Sequence, residues 1–246
     1  MRRRVLASLT NSGALLPYDA EVSWIGGGND GSFIDTGCAI ESSSTFEIKT
    51  KISFDVVKST SDGWMYCYFG AGHLGESPGV ALSSRNGLIS FQNGSIFIYG
   101  PAAVVDQFYD LDLIRGKITV DGIDYSGVGS SVYSSSSVCL FKANAETGYK
   151  SLPIGSKVVE FQISIGGIVK VDLMPVRITN ENGVSEGAMY DRVSGELFRN
   201  AGTGAFVIGP DKLGTELAGG GYKCVRRSWR SASRRSRHFS RWEVVA

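Results

Sequence analysis

The feature that most constrains the fold is a glycine-rich stretch at residues 187–209, which reads GAMYDRVSGELFRNAGTGAFVIG. Short apolar pairs stand between its glycines. A helix does not tolerate this density of glycine, because each one adds entropy to the unfolded chain and removes a side chain that could pack. The stretch therefore predicts very short strands joined by tight turns at residues 191–195 and 200–204, with positive φ at Gly202 and Gly204.

Strand and hairpin patterns recur along the rest of the chain. Residues 45–56 alternate apolar and polar side chains with a period of two, which is typical of a half-buried strand. Four dipeptides predict tight hairpin turns: Asn86-Gly87, Asn93-Gly94, Asp121-Gly122 and Gly166-Gly167. Roughly a dozen such strands, at spacings of about 8–12 residues, favour an all-β fold of two antiparallel sheets packed as a sandwich.

Charge divides the chain unevenly. Residues 223–246 hold eight basic residues and one acidic residue, whereas the remainder holds 17 basic and 23 acidic residues. The run Gly219-Gly220-Gly221 lies just ahead of this change and indicates a hinge. We therefore expect a basic N-terminal arm at residues 1–17, a β-sandwich at 18–211, and a Gly hinge with a disordered, Arg-rich tail at 212–246.

The N-terminus begins like a secretion signal, but Thr10 and the polar residues after it interrupt the apolar run. That run is shorter than the usual apolar core of about 7–15 residues, so we expect no clear signal peptide. No run approaches the roughly 20 apolar residues of a transmembrane helix, so no transmembrane segment is predicted.

Two segments resemble the ends of one domain class. Residues 22–37, VSWIGGGNDGSFIDTG, contain an aromatic-Ile-Asp-Thr-Gly phrase after a Gly-rich turn, and residues 173–206 close the domain. Together they resemble concanavalin A-like, laminin-G-type jelly-roll domains of gut-bacterial and tailed-phage surface or virion proteins. The resemblance covers residues 22–211. It implies a jelly roll that binds glycans or host surfaces, located on a virion, a cell surface or outside the cell.

Catalytic motifs are missing from the sequence. Jelly-roll glycosidases need two carboxylates roughly 5–10 Å apart, typically on an E-x-D-x-x-E-like strand, and the chain has no such phrase. Asp110 and Asp112 share one face of a predicted strand, but an ordinary solvent-exposed edge explains this pattern better than a pair of catalytic carboxylates does. His73 has no G-x-S-x-G partner motif. Asp191 begins a turn, where accepting backbone N–H groups is the favoured role. We predict that the protein is not an enzyme.

A binding role has positive signals around one aromatic strand. Three aromatic side chains at i, i+2 and i+4 point to one face of that strand, where rings can stack on the apolar faces of sugars. The alternative is that they fill the space between the sheets, since the side chains opposite them are also apolar. Polar residues on adjacent turns are candidates for contacts with sugar hydroxyls. The predicted ligand-binding residues are Trp64, Tyr66, Tyr68, Asp62, His73 and Asn86.

No cofactor is predicted. The four cysteines are widely separated, with no C-x-x-C pair and no adjacent histidine, which argues against zinc. Calcium has Asp30 and Asp35 as candidate ligands, but no dense acidic loop accompanies them. Ca²⁺ is therefore unsupported, and no metal site is expected.

Two functional classes remain open from the sequence. The first is a glycan- or host-surface-binding module of a phage virion appendage or a bacterial surface protein, with a cell-surface polysaccharide as partner. The second is a structural β-sandwich that decorates or cements a virion or surface assembly alongside other virion or surface proteins. The basic tail is the one segment that could bind nucleic acid; contact with anionic lipid or protein, and an extension without function, stay open as well.

Overall fold

The computed structural model describes residues 16–27, 31–40, 45–55, 66–72, 79–94, 96–128, 136–144, 152–153, 155–212, 223–228 and 240–245. Within these residues every regular element is a strand. In chain order the strands are β1 (Ala20–Glu21), β2 (Ile25–Gly27), β3 (Ile34–Ala39), β4 (Phe46–Phe54), β5 (Tyr66–Ala71), β6 (Gly79–Arg85), β7 (Leu88–Gly94), β8 (Ile96–Ala102), β9 (Phe108–Ile114), β10 (Lys117–Val120), β11 (Ile123–Ser126), β12 (Ser137–Leu140), β13 (Ala143–Asn144), β14 (Leu152–Pro153), β15 (Ser156–Ile165), β16 (Ile168–Thr179), β17 (Ser185–Asp191), β18 (Leu197–Phe198), β19 (Val207–Ile208), β20 (Lys223–Ser228) and β21 (Ser240–Val245).

Two sheets contain β1 to β19. The larger has 11 strands, with the order β11-β10-β9-β4-β15-β16-β17-β18 and with β1, β2 and β19 attached at its margin. The smaller has eight strands, with the order β3-β12-β5-β6-β7-β8 and with β13 and β14 added to β5. Apart from those two short additions, the pairings within both sheets are antiparallel. The prediction of an all-β fold built from two antiparallel sheets is confirmed.

Three of the four hairpin turns predicted from dipeptides are present, whereas Asn93 and Gly94 end β7 and only Gly94 has a positive φ, of 66°. Asn86-Gly87 joins β6 to β7 with φ values of 53° and 76°, and Asp121-Gly122 joins β10 to β11 with 48° and 80°. Gly166-Gly167 joins β15 to β16 with 61° and 77°. A two-residue turn of this kind needs a positive φ at both positions, which Asn, Asp and Gly adopt at the lowest cost. The turn chemistry is therefore local and readable from the sequence.

Aromatic side chains from the two sheets meet in the core. The Phe54 and Tyr68 rings have centroids 4.2 Å apart, and those of Phe69 and Phe161 are 5.2 Å apart. Each pair joins the larger sheet to the smaller one, and all four side chains are fully buried. Each Å² of apolar surface that is removed from water stabilises the folded state by about 25 cal/mol, and this burial is the main force that holds the two sheets together.

The two segments that carry the family resemblance meet in space. The backbone N–H of Ala201 donates to the Phe33 carbonyl at 2.9 Å, and the Phe33 N–H donates to Asn200 Oδ1 at 3.1 Å. The predicted positive φ at Gly202 and Gly204 is wrong, since neither is among the described residues with positive φ. Gly202 is instead required by close approach, because a Cβ there would lie 1.9 Å from the Gly31 carbonyl oxygen.

The tail contributes one strand pair to the described part of the chain. β20 pairs with β21 in antiparallel register, with Lys223 opposite Val245 and Ser228 opposite Ser240. Among the described residues there is no helix long and apolar enough to cross a membrane.

Candidate functional site

The predicted ligand-binding residues do not all fall within the described residues. Trp64, Asp62 and His73 lie outside them. Tyr66 is the first residue of β5, and Asn86 is exposed at the tip of the β6–β7 hairpin, where its φ is 53°.

Tyr68 lies in the core, where it does not face solvent. A bulge between Cys67 and Phe69 interrupts the alternation of β5, so that Tyr68 and Phe69 both enter the core between the sheets. Such a bulge inserts one extra residue and changes which face the next side chain occupies. Tyr68 is 0% exposed, and desolvation by this burial raises its pKa. For Tyr68, the alternative hypothesis of packing between the sheets is therefore the correct one, and its side chain is not in a position to contact a sugar.

Polar side chains line the outer face of the larger sheet, which is turned away from the core. On β4, Ile48 and Ile52 point into the core, so Lys49 and Lys51 point outward. The pairing register extends this pattern across the neighbouring strands, because Lys51 lies between Asp110 of β9 and Glu160 of β15. The Lys51 ammonium group pairs with the Asp110 carboxylate at 3.1 Å.

A second polar row runs beside the first. Asp112 of β9 stands between Thr119 of β10 and Lys49 of β4. Desolvation by partial burial, followed by the charge of Glu47, raises the pKa of the Asp112 carboxyl, while Lys49 acts in the opposite direction. The outer face therefore offers both hydrogen-bond donors and acceptors in a regular array.

One end of this face holds a cavity of about 300 Å³ with an aromatic wall. Tyr18 packs against Tyr190 with ring centroids 5.1 Å apart. Two ion pairs flank these rings: the Arg192 guanidinium lies 2.6 Å from an Asp172 carboxylate oxygen, and the Lys212 ammonium lies 3.9 Å from a Glu21 carboxylate oxygen. The residues that line the cavity are Tyr18, Glu21, Val159, Glu160, Met174, Tyr190, Arg192 and Lys212.

A second cavity of about 240 Å³ lies beside the first. Glu160 lines both cavities, so they adjoin at its side chain. We call the two cavities together the outer groove. The residues that line the second cavity are Lys49, Thr50, Asp110, Leu111, Asp112, Thr119, Gly122 and Glu160. The outer groove thus crosses β10, β9, β4, β15, β16 and β17, and its larger cavity, at about 300 Å³, lies at the lower end of the range of about 300–1,000 Å³ typical of ligand sites.

Asp191 holds one wall of the outer groove. Its Oδ1 accepts the N–H groups of Asp172 at 2.8 Å and Val193 at 3.2 Å, and its Oδ2 accepts the Ser194 N–H at 3.1 Å. Burial acts to raise its pKa, but these hydrogen bonds outweigh burial and leave the pKa of Asp191 below its usual value. The prediction that Asp191 accepts a hydrogen bond from the backbone N–H two residues later is confirmed by the bond from Val193. The turn that these bonds stabilise fixes the position of Arg192.

Asp35, one of the two calcium candidates, is engaged by the protein itself. Its Oδ1 accepts the Gly37 N–H at 3.0 Å and also the Ser137 hydroxyl. Asp30 lies outside the described residues. The part of the chain that the structure describes contains no cluster of three or more His, Cys, Asp or Glu side chains arranged around a metal.

Sequence reasoning missed the residues of the aromatic wall. Tyr18 is the first residue of the expected β-sandwich, and no pattern around it indicated a binding role. Tyr190 belongs to the glycine-rich stretch, where the sequence predicted only a short strand. The alternation along β4 and β15 identified polar faces, but the pairing of distant strands determines which polar residues share a groove. Only the register that places Glu160 beside Lys51 could have identified this site.

Comparisons with known proteins add no relative: no protein-family model matches the chain, and no curated protein matches its sequence. Any function must therefore be inferred from the residues of this chain.

Proposed function

We propose that this protein is a non-catalytic binding module that recognises a glycan or host-surface polysaccharide in its outer groove. The finer fold that we propose is a concanavalin A-like jelly roll, in keeping with the resemblance of residues 22–37 and 173–206. We further propose that the module belongs to a phage virion appendage or to a bacterial surface protein.

The observation that carries the proposal is the combination of surfaces at Glu160. On one side, the partly exposed Tyr190 supplies apolar area, which suits the apolar C–H face of a sugar ring, while Tyr18 and Met174 are buried and pack against it. On the other side, Asp110 and Lys49 supply an acceptor and a donor. A sugar presents hydroxyl groups that both donate and accept, so a groove with paired charges can satisfy them without requiring a charged ligand.

The carboxylates of the outer groove support binding better than hydrolysis. Asp110 is exposed and ion-paired to Lys51, while Glu160 comes from a different strand beyond Lys51. A glycosidase needs one carboxyl group held protonated and a second one held ionised across the scissile bond. Desolvation raises the pKa of Asp112, but its in-register neighbour Lys49 favours the ionised form.

A glycan array with the full-length chain tests the proposal. We expect selective binding by the wild-type protein, and a loss of at least about tenfold in Glu160→Gln, which removes one charged acceptor from the groove. Tyr190→Ala should also weaken binding. The matched control is Glu196→Gln, an exposed carboxylate on the turn after β17 that does not line the groove. Circular dichroism and thermal unfolding check that each variant is folded.

The outcomes separate the functional classes. A silent array with wild-type protein, together with copurification into particles, would contradict glycan binding and support the structural alternative. Binding that survives in Glu160→Gln and Tyr190→Ala but is lost in Trp64→Ala would move the site to the aromatic strand predicted from the sequence. Neighbouring genes for portal, capsid and tail proteins would support the virion assignment.

A further inference from the structure

A second aromatic surface lies on the smaller sheet. On β8, Ile98 points into the core, so Phe97 and Tyr99 on either side of it point outward. Their ring centroids are 6.4 Å apart with an angle of 26° between the ring planes, and Tyr99 is 42% exposed. Of the two rings, Tyr99 is the more exposed, and it offers an apolar face on which a sugar ring can stack.

A cation flanks this platform. The guanidinium carbon of Arg85, at the end of β6, lies 4.4 Å from the centre of the Phe97 ring. Arg85 is in none of the ion pairs of the described residues, and none of the residues of β6, β7 and β8 is acidic. Arg85 is therefore the one charged residue on these three strands, in contrast to the outer groove, where acidic and basic side chains alternate.

Two hydrogen-bonding side chains lie beside the rings. The register places Ser90 opposite Tyr99 and Gln92 opposite Phe97. Both residues are fully buried, and Ser90 Oγ and Gln92 Oε1 have no hydrogen-bond partner among the described residues. Because these atoms are not accessible to solvent, a molecule bound on the outer rings does not reach them, and the candidate site consists of the more exposed side chains alone.

We propose that Arg85, Phe97 and Tyr99 form a second binding site, specific for a carboxylated sugar unit such as a uronic or sialic acid. The Tyr99 ring stacks against the apolar face of the sugar, Phe97 holds the Arg85 guanidinium in place, and the guanidinium binds the carboxylate through two parallel hydrogen bonds. The exposed amide of Asn86, the residue after Arg85, lies at the same corner of the sheet. This site is separate from the outer groove and does not depend on it.

An array of uronate- and sialate-bearing oligosaccharides, printed beside their carboxyl-reduced counterparts, tests the second site with the full-length chain. We expect the wild-type protein to prefer acidic glycans over their reduced counterparts by about tenfold or more, as charge-assisted hydrogen bonds require. Arg85→Gln should remove this preference, and Arg85→Lys should restore part of it. Tyr99→Ala should weaken binding to the acidic and the reduced forms alike, because stacking does not depend on the carboxylate.

Two controls separate this site from the outer groove. Arg199→Gln removes an exposed arginine that follows β18 and should leave the preference intact, and Tyr190→Ala should leave it intact as well. The proposal is overturned if no acidic glycan binds better than its reduced counterpart. It is also overturned if Arg85→Gln keeps the preference, or if Arg199→Gln loses it to the same extent.

Discussion

Gly202→Ala is the sharpest test of how the two ends of the domain fit together. An ideal Cβ on Gly202 would lie 1.9 Å from the carbonyl oxygen of Gly31 and 2.9 Å from Cδ1 of Phe33. Carbon and oxygen atoms ordinarily approach to about 3.3 Å, so the two segments must separate by more than about 1 Å. Because the closest atom belongs to the backbone, a change of side-chain rotamer cannot relieve the contact.

The magnitude follows from the hydrogen bonds at this junction. Separation breaks the two bonds that join the segments, from Ala201 N to Phe33 O and from Phe33 N to Asn200 Oδ1. At about 1 kcal/mol each, their loss lowers the free energy of unfolding by about 2 kcal/mol. For a chain of this size the expected drop in Tm is about 4–8 °C.

Thermal unfolding followed by circular dichroism measures this effect. Gly26→Ala is the matched control, because its Cβ would meet its nearest neighbour, the Ser156 carbonyl oxygen, at an ordinary 3.4 Å. Gly202→Asn distinguishes close approach from a left-handed backbone: asparagine tolerates positive φ, but it carries a Cβ and should destabilise as much as alanine. A Tm for Gly202→Ala within about 2 °C of the wild type would refute the reasoning.

Three further predictions concern titratable groups. Asp191→Asn should cost about 1–3 kcal/mol at pH 7, since the new NH₂ group faces the Ser194 donors. The pKa of Asp191 is lowered in the folded state, so the stability that its carboxylate contributes is complete above the ordinary pKa of 3.8 and is lost as the pH falls. Urea unfolding should therefore show a smaller difference in the free energy of unfolding between wild type and Asp191→Asn at pH 3 than at pH 7. Asp112→Asn should raise the Tm at pH 7, because burial raises the pKa of Asp112 and folding therefore disfavours its ionised form. The gain in Tm should vanish below pH 3.8, where the carboxyl group is protonated in both states. A Tm at pH 7 lower than that of the wild type would contradict the prediction. Burial raises the pKa of Cys67 and Cys139 to about 12, so both thiols should react with a maleimide at pH 8 far more slowly in the folded protein than in urea; equal rates would contradict their burial.

The sequence was most reliable for the strands and their hairpins. Residues 45–56 predicted a strand by alternation, and β4 covers Phe46–Phe54. Gly166-Gly167 predicted the turn between β15 and β16. Both signals are local, since alternation records which side of one strand is buried and a positive φ is a property of one or two residues.

The candidate site was much less accessible to sequence reasoning. Tyr68 fitted an aromatic ladder by its spacing, yet the bulge at Cys67 and Phe69 turns its side chain into the core. Tyr18 and Tyr190 are far apart in the chain, and nothing near either residue indicates that their rings lie 5.1 Å apart. Local pattern cannot report where a partner strand inserts an extra residue or which distant segment lies across the sheet.

By itself the sequence determined an all-β chain with short strands, tight turns and alternating faces, because those properties follow from backbone preferences over a few residues. The tertiary structure alone decided the strand register, and through it the row that joins Asp110, Lys51 and Glu160. It also decided that Gly202 is needed for close approach to Gly31. These features depend on contacts between residues distant in sequence, which packing of the whole sandwich selects.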